Sequence, residues 1–179
     1  GAAIDSLCAD APAGIMPNLT QLAKEGLFFT NFYANSFRTD RGLVAVLSGY
    51  PAQPTTSIMK YPSKSQSLPA IAKSLVRRGY ETQYLYGRDA DFTNMRSYFI
   101  STGYQSIVCD EDFPISERLS KWGANDEVTF DKFFNLIASQ EYHPYMKTFL
   151  TLSSHEPFDV PYKKFDDPYL NSVAYTDSC

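Results

Sequence analysis

Ser36-Phe37-Arg38-Thr39-Asp40-Arg41-Gly42 is the stretch of this chain best equipped for chemistry. A hydroxyl flanked by two arginines and an aspartate could attack an ester or anchor an anionic group. A strand-like apolar run, 27–34, precedes it, and a helical pattern, 43–48, follows and stops at Gly49-Tyr50-Pro51. Thr39 therefore falls where a predicted strand hands over to a predicted helix. Backbone N–H groups at a helix start point outward and the helix dipole favours negative charge there, so the hydroxyl could be held as an alkoxide. The competing reading is a plain helix N-cap, a task threonine performs often.

Two further segments carry suitable groups. Ser153-Ser154-His155-Glu156-Pro157-Phe158 holds one of the chain's two histidines, just past a predicted strand end. Residues 87–96 supply Arg88, Asp89, Asp91, Asn94 and Arg96. Singly, each has an ordinary explanation: a loop histidine bonded to backbone for His155, helix caps for Asp89 and Asp91, a surface ion pair for Arg96. His143, before Pro144 in a turn, reads as structural. Together, a hydroxyl, an Arg/Asn group and a histidine suit an anionic ester. Thr39 would attack phosphorus with a metal ion lowering its pKa, while Arg and His hold the anionic head group.

The elements that must position these groups alternate. Helices are predicted over 17–26 (Asn18 as cap, Gly26 as stop), 40–48, 68–79, 92–102 and 125–140, with strands over 27–34, 81–86, 104–109 and 146–152. Residues 50–66, rich in Pro, Ser and Thr, read as a long surface loop. Alternating strands and helices predict an α/β fold with a parallel sheet covered on both faces. Ligands bind such sheets beyond the carboxyl ends of the strands, which selects the loops 35–40, 87–92, 109–124 and 153–160.

Bulk properties narrow the partners. With 179 residues, one domain is expected. A net charge of −4, without a basic block beyond two Arg/Lys pairs, excludes a nucleic-acid-binding face. Three cysteines without metal-ligand spacing do not make a disulfide scaffold. The 13 Tyr and 13 Phe predict half-buried aromatics or a lined cleft. No run reaches membrane-spanning length, no signal peptide is visible, and both ends look cut, so the chain is expected to be a fragment.

Several segments in a fixed order then carry a resemblance. They are Met16-Pro17-Asn18-Leu19 with Leu22-Ala23-Lys24-Glu25-Gly26; Phe29-Thr30-Asn31-Phe32-Tyr33-Ala34-Asn35 with Arg38-Thr39-Asp40-Arg41-Gly42; Asp91-Phe92-Thr93-Asn94-Met95-Arg96-Ser97-Tyr98; Trp122-Gly123-Ala124-Asn125-Asp126-Glu127; and Leu152-Ser153-Ser154-His155-Glu156-Pro157-Phe158. From Met16 onward the chain resembles the sulfatase and alkaline-phosphatase superfamily, in its lipoteichoic acid synthase-like, phosphoglycerol transferase branch.

The resemblance implies a three-layer α/β/α sandwich with a mostly parallel, alkaline-phosphatase-like sheet. Residues 1–179 would be the N-terminal part of the catalytic domain. Thr39 matches the family's threonine, which is both nucleophile and metal ligand. His155 matches a histidine on the substrate head group; Arg96 lies within one position of an arginine with that task, and Asn94 stands beside it. Thr93 stands where the family often has tryptophan, which implies a different head-group preference. The cofactor implied is a divalent metal (Mn2+ or Mg2+, with Ca2+ as a further option). The implied substrate is an anionic lipid or glycan, and the implied setting is the extracytoplasmic face of a bacterial membrane, held there by segments outside this chain.

Two departures shape the expectation. Sulfatases oxidise a Cys or Ser to formylglycine within Cys/Ser-x-Pro/Ala-x-Arg, whereas Thr39-Asp40-Arg41-Gly42-Leu43 lacks each of these features. Phosphoryl or phosphoglycerol transfer therefore fits better than sulfate-ester hydrolysis. The family's first-strand acid is matched at best by Asp5, and no Asp-His dipeptide occurs. The isolated chain is accordingly expected to bind metal weakly and to be inactive. The rival readings are a sulfatase-like hydrolase without formylglycine and a non-catalytic module that binds an anionic glycolipid.

Overall fold

Glu81–Tyr86 (β1) is the centre of the architecture, because its side chains are buried on both sides of the sheet. The structure, a computed structural model, describes residues 14–118 and 120–179. Among these, β1 pairs in parallel with Ser106–Val108 (β2) on one edge and with Tyr145–Leu150 (β3) on the other, giving the order β2-β1-β3. The register sets Tyr84 beside Ile107 and Thr148. Two polar residues inside the central strand are satisfied, one by the turn before β2 and one by β2 itself: Thr82 Oγ1 donates to Gly103 O (2.6 Å) and Gln83 Nε2 to Ser106 Oγ (3.1 Å).

The period of two along β1 assigns its faces. Tyr84 and Tyr86 point to a cluster with Val44, Leu47, Ala72, Met95, Tyr98, Phe99, Tyr104 and Leu152. These come from helices Thr39–Ser48, Ile71–Val76 and Met95–Ser101 and their flanks. Leu85 points the other way, toward Val108, Phe113, Ala124 and helix Asp126–Ala138. Helices therefore cover both faces of a parallel sheet, the α/β/α layering predicted from the sequence. Numbered in chain order, the α-helices are Pro17–Glu25 (α1), Thr39–Ser48 (α2), Pro62–Ser65 (α3), Ile71–Val76 (α4), Met95–Ser101 (α5), Asp126–Ala138 (α6) and Pro168–Ser178 (α7).

Many aromatics sit deeper than the half-buried positions expected. Tyr84 stacks on Phe99 with ring centroids 3.7 Å apart, and Tyr104 meets both edge-on. Two of the buried hydroxyls have partners, Tyr98 with Ser48 Oγ (2.6 Å) and Tyr104 with Thr148 Oγ1 (2.8 Å), whereas the buried Tyr84 hydroxyl has none among the described residues. Burial pushes the Tyr98 phenol up to about 12, against the Ser48 hydrogen bond that lowers it. Cys109 and Cys179 are free thiols.

The structure corrects several expectations. Residues 27–34 form no strand; the segment is irregular, with Leu27, Phe29, Phe32 and Tyr33 exposed. Its composition favours a strand, but no sheet edge among the described residues pairs with it, and a strand gains stability only through such pairing. Residues 50–66 are not a structureless loop. Ile58–Lys60 makes a 3-10 turn, α3 follows it, and Met59 is fully buried. The predicted 68–79 helix shortens to α4, starting beyond Pro69. Asn18 does not cap α1: the N-cap is Met16, and Asp177 of α7 accepts from the N–H groups of Asn18 and Leu19 (3.0 and 2.8 Å). Helix α7 itself, capped by Asp167 through Leu170 N–H (2.9 Å), was not predicted.

At the amino end of the sheet, Glu81 accepts from Gln140 Nε2 (3.1 Å) and from His143 Nε2 (2.6 Å). These bonds, Gln140 first, hold its carboxyl below the usual 4.5, aided by nearby Lys147. A carboxyl depressed on folding stabilises the fold above its unfolded value, and the contribution disappears as pH falls through the folded one. Both side chains are 38% exposed, so solvent screening keeps the effect small. Glu81→Gln is expected to lower stability slightly near neutrality, where the Glu81 contribution is fully present, and to flatten the acid limb below pH 4.5, where the parent loses it. Thermal melts of both proteins across that range check this, and identical acid limbs would refute it.

Candidate active site

Thr39 is the first residue inside α2, and its side chain is exposed. The N-cap is Arg38, in extended backbone (φ −115°, ψ 134°), with no side-chain capping bond. Thr39 is therefore not the cap that its type and place suggest. The turn beneath it is fastened from the side: Asp40 is buried, pairs with Arg38 Nε (3.5 Å), and its carbonyl accepts from Ser57 Oγ (3.1 Å). Arg41 Nη1 donates to Pro54 O (2.6 Å), while its buried Nε meets no protein partner. The hydroxyl thus stands on a fixed platform at the positive end of a ten-residue helix.

Asn94 closes the turn that leads from β1 into α5, and Arg96 is the second residue of α5. Arg96 Nε donates to Asp91 Oδ1 (3.0 Å), and its Nη2 faces Cys109 Sγ (3.4 Å) and Glu111 Oε2 (3.7 Å). Hydrogen bonds to Asp91 first and Cys109 second raise its already high pKa. Asn94 Nδ2 donates to Met59 O (2.7 Å), joining this turn to the segment that braces α2. Asp91 makes no side-chain cap, and Asp89 Oδ1 accepts from Asp91 N–H (2.7 Å), closing a local turn. Thr93 and Asn94 both take left-handed backbone (φ 55° and 65°). For β-branched Thr93 this conformation is strained, and its buried hydroxyl has no protein partner.

His155 follows β3 by a few residues and is exposed. Its N–H donates to Leu152 O (3.0 Å) and its own carbonyl accepts from Phe158 N–H (2.8 Å). The ring packs on Trp122, with centroids 4.6 Å apart. Buried Asp126, at the start of α6, holds the stem of this loop by accepting from Leu152 N–H (2.7 Å) and Ser153 N–H (3.2 Å). Leu152 shares the core cluster with Val44 and Leu47 of α2. The histidine loop and the helix carrying Thr39 are thus built on one packed core, as are Asn94 and Arg96 through Met95. Trp122 was not singled out from the sequence, and Arg88 entered only as one of several groups in its loop; the available signal was the chain's single tryptophan in a post-strand loop.

The donor set around Thr39 among the described residues is incomplete for a metal. Among the described residues, no three His, Cys, Asp or Glu side chains gather closely enough to hold an ion. Divalent cations such as Mg2+ require several oxygen ligands, and one hydroxyl does not suffice. Asp5, the sequence candidate for an acidic ligand, lies outside the described residues.

Comparison with known proteins places this geometry. The sulfatase family model matches residues 6–179. Phosphoglycerol transferase I of Xanthomonas campestris pv. campestris is 31% identical over 159 residues, 80% of this chain and 22% of that protein. Lipoteichoic acid synthase 2 of Bacillus subtilis is 28% identical over 181 residues, covering 91% of this chain and 27% of that protein. The chain therefore spans well under a third of the curated relatives it matches. An alkaline phosphatase superfamily protein from Vibrio parahaemolyticus superposes with a TM-score of 0.79 at 31% identity, covering 92% of this chain and 42% of that one. The lipoteichoic acid synthase LtaP of Listeria monocytogenes superposes with a TM-score of 0.83 at 20% identity, over 92% and 44%. With the family model matching residues 6–179 of the chain and the parallel α/β/α layering shared with these structures, the chain belongs to the sulfatase family.

Proposed function

We propose that this chain is part of a metal-dependent phosphoglycerol transferase or phosphoester hydrolase in which Thr39 is the nucleophile. The observation that carries the reading is the exposed, uncapped hydroxyl of Thr39 at the start of α2, on the core that also supports the His155 loop. The relatives named phosphoglycerol transferase and lipoteichoic acid synthase support the same class, and a more distant fold neighbour from Streptococcus pyogenes, a phosphoglycerol transferase, was solved with sn-glycerol-1-phosphate. A threonine in place of an oxidisable Cys or Ser favours phosphoester over sulfate-ester chemistry.

Thr39 would serve as one ligand of a divalent cation, Mn2+ or Mg2+, with the other ligands drawn from outside the described residues. Such an ion supplies a lowered hydroxyl pKa and charge compensation for the non-bridging oxygens. Attack by the Thr39 oxygen on phosphorus forms a phosphothreonine ester and breaks the bond to the donor's alcohol, which leaves with a proton. A second alcohol or water then takes the phosphoryl or phosphoglycerol group and restores the hydroxyl. His155 holds the anionic head group, and Arg96 and Asn94 contribute through the donors and acceptors that Asp91 and Met59 leave unused. The substrate is an anionic lipid or glycan at the extracytoplasmic face of a bacterial membrane. No helix of the described residues is long and apolar enough to cross a membrane, so attachment would rest on other segments.

The test is substrate preference. Protein containing the complete catalytic domain, supplied with Mn2+, is expected to turn over p-nitrophenyl phosphate or a glycerophospholipid and to leave p-nitrophenyl sulfate intact. Preference for the sulfate ester would move the reading to a hydrolase acting without formylglycine. Absence of turnover with every ester would favour a binding module.

A further inference from the structure

We infer that Arg88 is an anion-binding guanidinium of this site and that Trp122 is a positioning residue for His155, the two forming one shelf for a phosphoester head group. The inference rests on the phosphoester reading above and adds recognition residues that reading does not contain.

Arg88 lies two residues beyond the carboxyl end of β1, on the edge of the sheet where ligands bind. Its backbone is fixed from two sides. Its carbonyl accepts from Asp110 N–H (3.3 Å), and that of neighbouring Gly87 accepts from Ala124 N–H (2.9 Å). Gly87 and Gly123 approach so closely that a Cβ on Gly123 (φ 137°) would overlap the Gly87 carbonyl oxygen. Glycine at both positions is what brings Trp122 over Arg88.

The side chain is held as tightly. Its Cζ lies 3.9 Å from the Phe92 ring centroid and 4.0 Å from that of Trp122. A guanidinium in such an aromatic slot keeps its charge and planar attitude and presents N–H groups at its edge. Among the described residues no carboxylate pairs with it: Asp89 turns to Asp91 N–H, and the polar neighbour of Arg88 is the Tyr86 hydroxyl. Arg96 differs, being bound to Asp91 and facing Glu111. Of the two guanidiniums, Arg88 is the one oriented without a counter-ion, and a planar fork of that kind fits two oxygens of a phosphate.

Trp122 extends the slot to His155. Its Nε1–H donates to Glu156 O (2.7 Å), and His155 Nδ1 lies 2.9 Å from that same oxygen. A carbonyl can only accept, so the network assigns the proton to Nδ1 and leaves Nε2 facing outward. Ring contact at 4.6 Å sets the imidazole's attitude. Outward Nε2 accepts from a hydroxyl when neutral and donates to a phosphate oxygen when protonated.

The experiment titrates inorganic phosphate and sn-glycerol-1-phosphate into the full chain, followed by 1H–15N NMR. Arg88→Met, which keeps the bulk of the slot, is expected to weaken both by about tenfold or more, the scale of a lost charge-assisted pair. Arg88→Lys keeps the charge, loses the fork, and is expected to recover less than half of that loss on a logarithmic scale while melting like the parent. Trp122→Phe is expected to shift the His155 imidazole 15N signals toward a mixed tautomer. Unchanged affinity in folded Arg88→Met or Arg88→Lys, or no binding by the parent chain, would overturn the anion role; an unmoved His155 spectrum would overturn the positioning role. Thr39→Ala separates the two readings, because it should spare phosphate affinity while removing turnover in the whole protein. Persisting turnover there would sink the nucleophile and leave the Arg88 result standing.

Discussion

Thr39→Ala is expected to lower phosphoester turnover by the whole protein on the order of 10⁴-fold or more, the scale seen when a nucleophile is deleted from a covalent mechanism. Its effect on stability should stay within about 0.5 kcal/mol, as for an exposed residue outside any bonded network. The separation of these two numbers is the point of the variant. Were Thr39 an N-cap, its removal would cost about 1 kcal/mol of stability and leave chemistry untouched. The structure gives the cap position to Arg38, without a side-chain bond, and leaves Thr39 exposed on the first helical turn. Thr39→Ser adds a second arm: a primary alcohol at the same place should restore most of the turnover that alanine removes. Steady-state rates with a glycerophospholipid donor, beside thermal melts, decide the matter. Full turnover in the alanine variant would place the nucleophile elsewhere.

The parts of the fold legible in the sequence are those where local pattern and tertiary packing agree. Glu81–Tyr86 was predicted as a strand over the residues that form it, and α2, α5 and α6 begin within a few residues of expectation, because their apolar periodicity faces the core they build. The failures share a cause: the deciding partner lies far away in sequence. Asn18 has the type of a cap, yet Asp177 takes the bonds from 159 residues away. Residues 27–34 have the composition of a strand but pair with neither edge of the described sheet. The 50–66 segment is rich in loop residues, yet Met59 anchors it in the main core and turns it into a brace for α2.

The candidate site was legible as a set of residue types and less so as a geometry. Alternation of strands and helices directed attention to the loops 35–40, 87–92, 109–124 and 153–160. Thr39 and His155 fall in two of them, whereas Asn94 and Arg96 lie just beyond a third, and the strand 27–34 used to place Thr39 does not form. Alternation could not say which guanidinium would be paired. Arg88 and Arg96 stand eight residues apart in the segment from the end of β1 into α5, and the positions of Asp91, Phe92 and Trp122 distinguish them. Trp122 likewise gains meaning only from the close approach of Gly87 and Gly123, a property of two loops together.

Asp126→Ala is expected to be the most damaging single substitution to the fold of this region, at about 3–5 kcal/mol, the range for removing one member of a buried charged hydrogen-bond network. The carboxylate is fully buried at the start of α6. Oδ1 accepts from the N–H groups of Leu152 and Ser153 (2.7 and 3.2 Å), and Oδ2 accepts from Thr176 Oγ1 (2.6 Å). Asp126 N–H in turn donates to Ser153 Oγ (3.0 Å). One side chain therefore joins α6, the segment after β3 and α7, and it does so where the chain turns toward His155. Alanine would strand the buried donors of Leu152, Ser153 and Thr176. Asp126→Asn keeps the shape but puts an amide NH2 among groups that donate, so it should recover only part of the loss. Denaturant unfolding of the three proteins measures the cost, and a midpoint drop of roughly 10 °C in thermal melts is its counterpart at this chain length. Turnover by the whole protein should fall along with stability even when the assay temperature leaves the variant folded, because His155 N–H is tied to the carbonyl of Leu152, whose own N–H Asp126 holds. A loss below about 1 kcal/mol would mean that the loop has other support and that its attitude does not depend on this carboxylate.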